Sequence, residues 1–335
     1  MQKVAFAVAA LLALSLAVAG PAVAEDPEFL LELGTVAPKG SPWANQLSRF
    51  KKEMQEATNG RLKVKLRLGQ ANERSLARRT QMGSMQGFAG SVGGMSSIVR
   101  EANVIEAPYV FPDFAAADKA LDTPAVTNQV KKILTKRGLV FGIWGENGYR
   151  SYFSKKKIRT PGDMEGVRFR SQESLAHVET YEAFGATPVP IDVGNTLMSV
   201  QTGVVDGFDN TPLFATAGSW YQGLDEGERH IFLSRHSYQP AILVYSKKWF
   251  DTLPKDVQQA LTTADQELID WGRQQVRQIE PVLLKNLAKY GYEIYEPSAE
   301  ELAPFKAKQK GIPDKIAKEM GADGVKLLEL IRKTL

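Results

Sequence analysis

A chain of 335 residues that is 43% hydrophobic and 24% charged has the length for two domains of ordinary size and too many apolar residues to be disordered. Its formal net charge of +4 is scattered over Lys51-Lys52, Arg78-Arg79, Lys131-Lys132 and Lys155-Lys156-Lys157 without aromatic interleaving, so it reads as solvated faces that favour a small anion and carries no nucleic-acid motif. The absence of cysteine excludes disulfides and thiol chemistry.

Residues 1–24 run from Lys3 through an apolar stretch at Val4 to Val18 and close on Ala22-Val23-Ala24, the parts of a secretory signal peptide. Cleavage is expected to leave a soluble exported chain beginning at Glu25, because no later segment is long and apolar enough to span a bilayer.

Leu31, Leu33 and Val36 predict a strand. Ser41 then caps a helix with Pro42 at its first position, and Trp43, Leu47, Phe50, Met54 and Ala57 recur at helical spacing until Asn59-Gly60. Leu62, Val64, Leu66 and Leu68 alternate with charged residues, as in a strand with one buried face. A helix over about 74–85, a strand over 88–92, a helix over about 114–136 and a strand over 139–144 follow. A second set comprises a strand over 167–170, a helix over 174–184, a strand over 187–190 and a helix over 196–201. The chain ends with a strand over 241–245, a long helix from Pro254 to about Tyr290, and a final helical region opened by the capping box Ser298 and Glu301. This alternation predicts two α/β domains: residues 25–147 plus about 236–275, and 148–235 plus about 276–335, with the long helix bracing both.

From residue chemistry, Arg170 is a candidate carboxylate ligand: an arginine fork matches two oxygens, and it ends a predicted strand, where ligands of open α/β sheets lie. An ordinary ion pair with Asp or Glu is the competing reading. Gly90-Ser91-Val92-Gly93-Gly94 has the spacing of neither a Walker loop nor a Rossmann fingerprint, and it makes Ser91 a candidate pocket wall. Phe208 and Tyr238 are candidate apolar walls, while Trp144 and Trp220 are read as core.

Gly148-Tyr149-Arg150, Gly166-Val167-Arg168-Phe169-Arg170, Phe184-Gly185-Ala186-Thr187-Pro188-Val189-Pro190, Gln201-Thr202-Gly203-Val204-Val205-Asp206-Gly207 and Asp209-Asn210-Thr211-Pro212 together resemble the solute-binding proteins of tripartite ATP-independent periplasmic (TRAP) transporters. The likeness extends through Ser41-Pro42-Trp43, Glu106-Ala107-Pro108-Tyr109 and Lys247-Lys248-Trp249-Phe250. It implies a two-domain periplasmic binding protein that closes on a small organic carboxylate and delivers it to a small and a large membrane subunit. It also implies that Arg170 clamps the carboxylate, that Arg150 supplies a second cation and that Asn210 donates an amide hydrogen bond. Glu73 stands where the family has an acid near the pocket; it either accepts from ligand hydroxyls or nitrogen, or starts the helix after Asn72. Asn195 and Phe208 depart from the family's more polar pattern, which leaves an apolar monocarboxylate as open as a C4-dicarboxylate.

No catalytic set emerges. His177, His230 and His236 lack metal-ligand spacing and no Gly-x-Ser-x-Gly elbow is present, so neither enzyme activity nor a cofactor is expected. A partner of a membrane sensor, or a periplasmic carbohydrate-active enzyme with paired carboxylates, are the alternative readings.

Overall fold

The structure is a computed structural model that describes residues 27–335 apart from Ala71 and Ala264; the expected signal peptide lies outside the described residues. Strand β1 (Phe29–Gly34) leads to α1 (Pro42–Ala57), where the Ser41 side chain accepts from the Ala44 N–H and Pro42 occupies the first turn. Asn59 and Gly60, at φ of 52° and 79°, turn the chain into β2 (Leu62–Arg67), α2 (Glu73–Met82) and β3 (Gly87–Ser91).

The helix expected over 114–136 is two helices, α3 (Phe114–Asp122) and α4 (Pro124–Lys136). The ring of Pro124 forces Thr123 out of the helical region, to ψ 124°. Next comes β4 (Leu139–Ser154), then β5 (Arg168–Ser171), α5 (Leu175–Glu182), β6 (Thr187–Pro190), α6 (Thr196–Gln201), β7 (Gly207–Asn210) and α7 (Pro212–Ala217). The chain continues with β8 (His230–Ser246), α8 (Lys247–Phe250), α9 (Lys255–Thr262) and α10 (Gln266–Lys289). The single helix expected from Pro254 is therefore interrupted: Thr263 and Asp265 are extended, and the Asp265 carboxylate caps α10 by accepting from the Glu267 and Leu268 N–H groups. Strand β9 (Glu293–Tyr295) and helices α11 (Ala299–Gln309), α12 (Ile312–Glu319) and α13 (Gly321–Arg332) complete the chain. The capping box at α11 forms as expected, with Ser298 and Glu301 each satisfying the other's backbone N–H.

All nine strands belong to one sheet of order β2-β1-β3-β8-β4-β7-β5-β6, with β9 alongside β8. The short strands expected over 139–144 and 241–245 are the first part of β4 and the last part of β8, which have 16 and 17 residues and pair antiparallel along most of their length. Both are buried almost throughout, but their inner parts, Glu146 to Ser151 and Ser234 to Pro240, are polar and interrupted by Gly148 and Pro240, which hides their true length from a hydrophobic pattern. β3 joins the far end of β8 through Ser91 and Ala241, and β7 joins the far end of β4 through Ser151 and Asn210. These two strands thus connect a half built on β1, β2 and β3 to a half built on β5, β6 and β7. Their pairing slips at three places, between Phe141 and Trp144, Glu146 and Gly148, and Arg150 and Tyr152. Such irregularities bend strands and redirect side chains.

The largest apolar cluster surrounds the first half and includes Leu31, Leu47, Phe88 and Val244, together with Ile312, Ile316, Leu327 and Ile331 from the last two helices. The sequence expects about 276–335 with the other half; Phe305 of α11 does pack there, whereas α12 and α13 pack here. Two smaller clusters, around Phe208 and Trp220 and around Phe169 and Tyr181, serve the second half.

Helix α10 touches both halves. Gln46 of α1 donates to the carbonyls of Leu268 (3.2 Å) and Trp144 (3.1 Å), while Val276 and Leu283 pack with Leu213. Arg277 is held by Asp118 and by the buried Glu146 at 2.6–3.0 Å.

Gly207 lets β7 lie against β4, because a Cβ there would strike the Phe153 carbonyl oxygen, a backbone atom with no freedom to yield. Gly207→Ala is expected to destabilise the protein by about 2 kcal/mol, read as a lower urea midpoint. An unchanged midpoint would mean that β7 is free to shift.

Candidate functional site

A cleft with about 580 Å³ of atom-free space, its open mouth included, lies where the two halves meet, bounded by the loop after β1, by β3, by the bend of β4 and by the segment from β7 to Trp220. Its position follows from the sheet. Arg170 leaves the carboxyl end of β5, and Asn210 that of β7, where chain ends converge and side chains project into the crevice. An adjoining recess of about 340 Å³ shares Glu73, Arg170 and Gln172 with it.

Arg170 is 2% exposed. Its Nε donates to the Ile191 carbonyl at 2.9 Å, and its guanidinium lies 4.8 Å from the centre of the Trp220 ring. Among the described residues no carboxylate comes within ion-pair distance, and neither Nη atom has a hydrogen-bond partner. The ordinary ion pair weighed from sequence is therefore not what the fold provides. Burial, joined by the like charge of Arg150, lowers its pKa to about 10.

Arg150, on β4 beside one of the pairing slips, is committed differently. Its Nε donates to Asp209 Oδ2 and its Nη2 to the Asp209 carbonyl, both at 2.6 Å, while Nη1 only approaches Asn210 Oδ1 (3.4 Å) and Gln172 Oε1 (3.5 Å). Burial works against the Arg150 charge, but the Asp209 carboxylate outweighs it and raises the pKa. Asp209 also accepts from the Tyr181 hydroxyl (2.7 Å) and has the rings of His236 (3.3 Å) and His177 (3.5 Å) beside it. Burial alone would raise the Asp209 pKa; Arg150 and the two histidines hold it well below the usual carboxylate range.

The Oδ1 of Asn210 accepts from the Thr211 N–H at 2.8 Å. Since a backbone N–H requires an acceptor there, the amide orientation is fixed and Nδ2, which has no partner among the described residues, is left for the cleft.

Glu73 begins α2 and is inward-facing. Its Oε1 accepts from the Ser91 N–H (2.7 Å), and its Oε2 from the Ser91 hydroxyl (2.8 Å) and Gln172 Nε2 (3.3 Å). Burial raises its pKa against the pull of these donors. Ser91 in turn accepts from the Gly94 N–H and from Gln172 Nε2. Glu73 and Ser91 thus both line the cleft, but on one wall of it they satisfy each other.

Two expected wall residues lie elsewhere. Phe208 is fully buried, stacked on Phe153 at 4.8 Å and packed edge-on behind Trp220; it supports the ring that faces Arg170. Tyr238 packs among Phe111, Phe114 and Tyr149 and donates to Glu146 at 2.8 Å, inside the Arg277 brace. Trp220, read from sequence as core, is the aromatic wall. Gln172, Gln239, Asn147 and Trp43 also line the cleft and were missed. Gln172 lies two residues beyond Arg170, just past the end of β5, so carrying the period-two rule one step on could have found it; Gln239 and Trp43 carry no such signal.

Among the described residues no helix is long and apolar enough to cross a membrane. The family model described as bacterial extracellular solute-binding protein, family 7, matches residues 33–320. A "Solute-binding protein" of Verminephrobacter eiseniae is 31% identical over 221 residues, covering 65% of this chain and 64% of that one. The "C4-dicarboxylate-binding periplasmic protein DctP" of Rhodobacter capsulatus is 26% identical over 317 residues, 93% of each chain. The crystal structure of a TRAP periplasmic solute binding protein from a Polaromonas species, bound to D-erythronate, superposes with a TM-score of 0.82 at 26% identity, covering 92% of this chain and 98% of that one.

Proposed function

We propose, from the premise that this chain belongs to family 7 of the bacterial extracellular solute-binding proteins, that it captures a small organic carboxylate in the periplasm and hands it to the small and large membrane subunits of a TRAP transporter. The observation that carries the carboxylate reading is Arg170: a buried guanidinium with two unpartnered nitrogens facing a cleft. Removing a charge from water is costly unless something pairs with it, and the natural partner for such a fork is a carboxylate held by two parallel hydrogen bonds. Asn210 Nδ2 supplies a third donor. Arg150, locked to Asp209, positions Asn210 and adds positive potential without being the clamp. Glu73 and Ser91 form the opposite wall.

The two halves act as domains. Their relative motion is taken up in β4, β8 and α10, and the ligand favours the closed arrangement because only there do both walls reach it. Residues 1–24 direct export and are removed.

Native mass spectrometry of protein purified from a periplasm, followed by denaturation, tests the reading directly. A released organic acid of stoichiometric amount is the expected result. Protein that carries nothing and gives no thermal shift with any carboxylate, as acid or salt, would overturn it.

A further inference from the structure

Resting on that carboxylate reading, we infer that the ligand is a monocarboxylate with an apolar body, and that dicarboxylates and polyhydroxy sugar acids are poor ligands of this cleft. The first argument is a count of charge. The ionisable groups facing the cleft are Glu73, Arg150 and Arg170. Arg150 is neutralised by Asp209 at 2.6 Å, and Arg74, at the mouth of the adjoining recess, is paired with Glu173 at 3.2 Å. Among the described residues lining the cleft, Arg170 alone is left to meet an anion. A second carboxylate would enter a buried space with no free cation and with Glu73 already there, and an unpaired buried charge is among the most costly features a complex can hold.

The second argument concerns hydroxyls. Each hydroxyl of a sugar acid brings a donor and an acceptor that must be matched once water is removed. Glu73, Ser91 and Gln172 would be the obvious partners, yet they are turned onto one another. Gln172 Oε1 faces Gln239 Nε2 at 3.2 Å. Among the described residues, the lining amide atoms without a partner are those of Asn147, Asn210 Nδ2 and Gln239 Oε1. They belong to three side chains only, which readily meet an oxo or hydroxy group beside the carboxylate, while each further hydroxyl along a chain would have to draw on the same few amides.

The third argument is the remaining surface. Val36, Pro38 and Trp43 face the cleft from one half, and Leu213, Phe214 and Trp220 from the other. Apolar walls on both sides bury an apolar body favourably and offer nothing to a polyol. Both oxygens of the Glu73 carboxylate already accept from Ser91 and Gln172, so receiving the ammonium group of an amino acid would mean giving up hydrogen bonds made within the wall.

The test is isothermal titration of the full chain, freed of ligand by unfolding and refolding, with 4-methyl-2-oxopentanoate, phenylacetate, phenylacetamide, L-leucine, succinate and D-erythronate. One of the two apolar acids is expected to bind on the order of a hundredfold tighter than succinate, D-erythronate or L-leucine, with phenylacetamide inactive. If succinate or D-erythronate binds more tightly than both apolar acids, and the Arg170→Met variant abolishes it, the inference falls while the carboxylate reading survives. If L-leucine wins, the Glu73 argument and the inference with it are wrong. Silence from every acid would sink the inference and the underlying reading together.

Discussion

Arg170→Met is expected to abolish ligand binding while leaving the empty protein as stable as the parent, or more so. The two effects have one cause. Arg170 is held in the charged state inside the protein with no anion to pair with, and burial pulls its pKa down to about 10. That depression means the folded state tolerates the charge less well than water does, so the residue weakens the empty fold at neutral pH. Methionine fills a similar volume and gives up only the Ile191 hydrogen bond and the charge over the Trp220 ring, on which its thioether can still pack. The melting temperature without ligand is therefore expected to hold, or to rise by the equivalent of up to about 2 kcal/mol. Affinity for the carboxylate, measured by titration calorimetry, is expected to fall by about 2 to 5 kcal/mol, roughly thirtyfold to several thousandfold. A variant that bound normally would show that Arg170 is not the clamp; one that melted far lower would show that its role is structural.

Asp209→Asn should give the opposite pattern. The carboxylate holds Arg150, accepts from Tyr181 and faces two histidine rings, all nine-tenths buried or more. The amide keeps the shape and removes the charge, stranding Arg150. Breaking one side of a buried pair typically costs about 3 to 5 kcal/mol, and a fall of that size in the urea-unfolding free energy is expected. The pH dependence has a definite sign. Because the folded pKa of Asp209 lies well below that of an unfolded aspartate, near 3.9, its stabilising contribution is fully present above about pH 4. It is lost as pH falls further toward the depressed value. The variant should show a shallower acid limb than the parent over that window. Equal slopes would place the acid sensitivity in other groups.

Much of this arrangement was legible from the chain. The short elements announced themselves through caps and alternation, and Arg170, Asn210, Arg150, Glu73 and Ser91 do meet at one cleft. What escaped has physical reasons. The inner parts of β4 and β8, Glu146 to Ser151 and Ser234 to Gln239, are largely buried yet polar, so the apolar pattern stops where the strands do not and they look half as long as they are. Pro124 was passed over as a break because the helical period continues across it. Phe208 and Tyr238 differ from Trp220 only in which neighbours the fold brings to them, and an aromatic residue in a sequence says nothing of its neighbours. Asp209, the most heavily engaged carboxylate of the site, was indistinguishable from any acid beside an asparagine until Arg150 and Tyr181 were seen around it.

The unbroken sheet has a mechanical consequence. Where two bodies are joined by flexible loops, swinging is nearly free; here any swing must twist β4 and β8, whose hydrogen-bonded ladder resists like a leaf spring, thinned at the three slips in register. The cleft lies near the fulcrum of that spring, so under the proposed function a small shift at a bound carboxylate would become a larger displacement at the outer rim. A docking partner needs to feel only the rim to know whether the fulcrum is occupied.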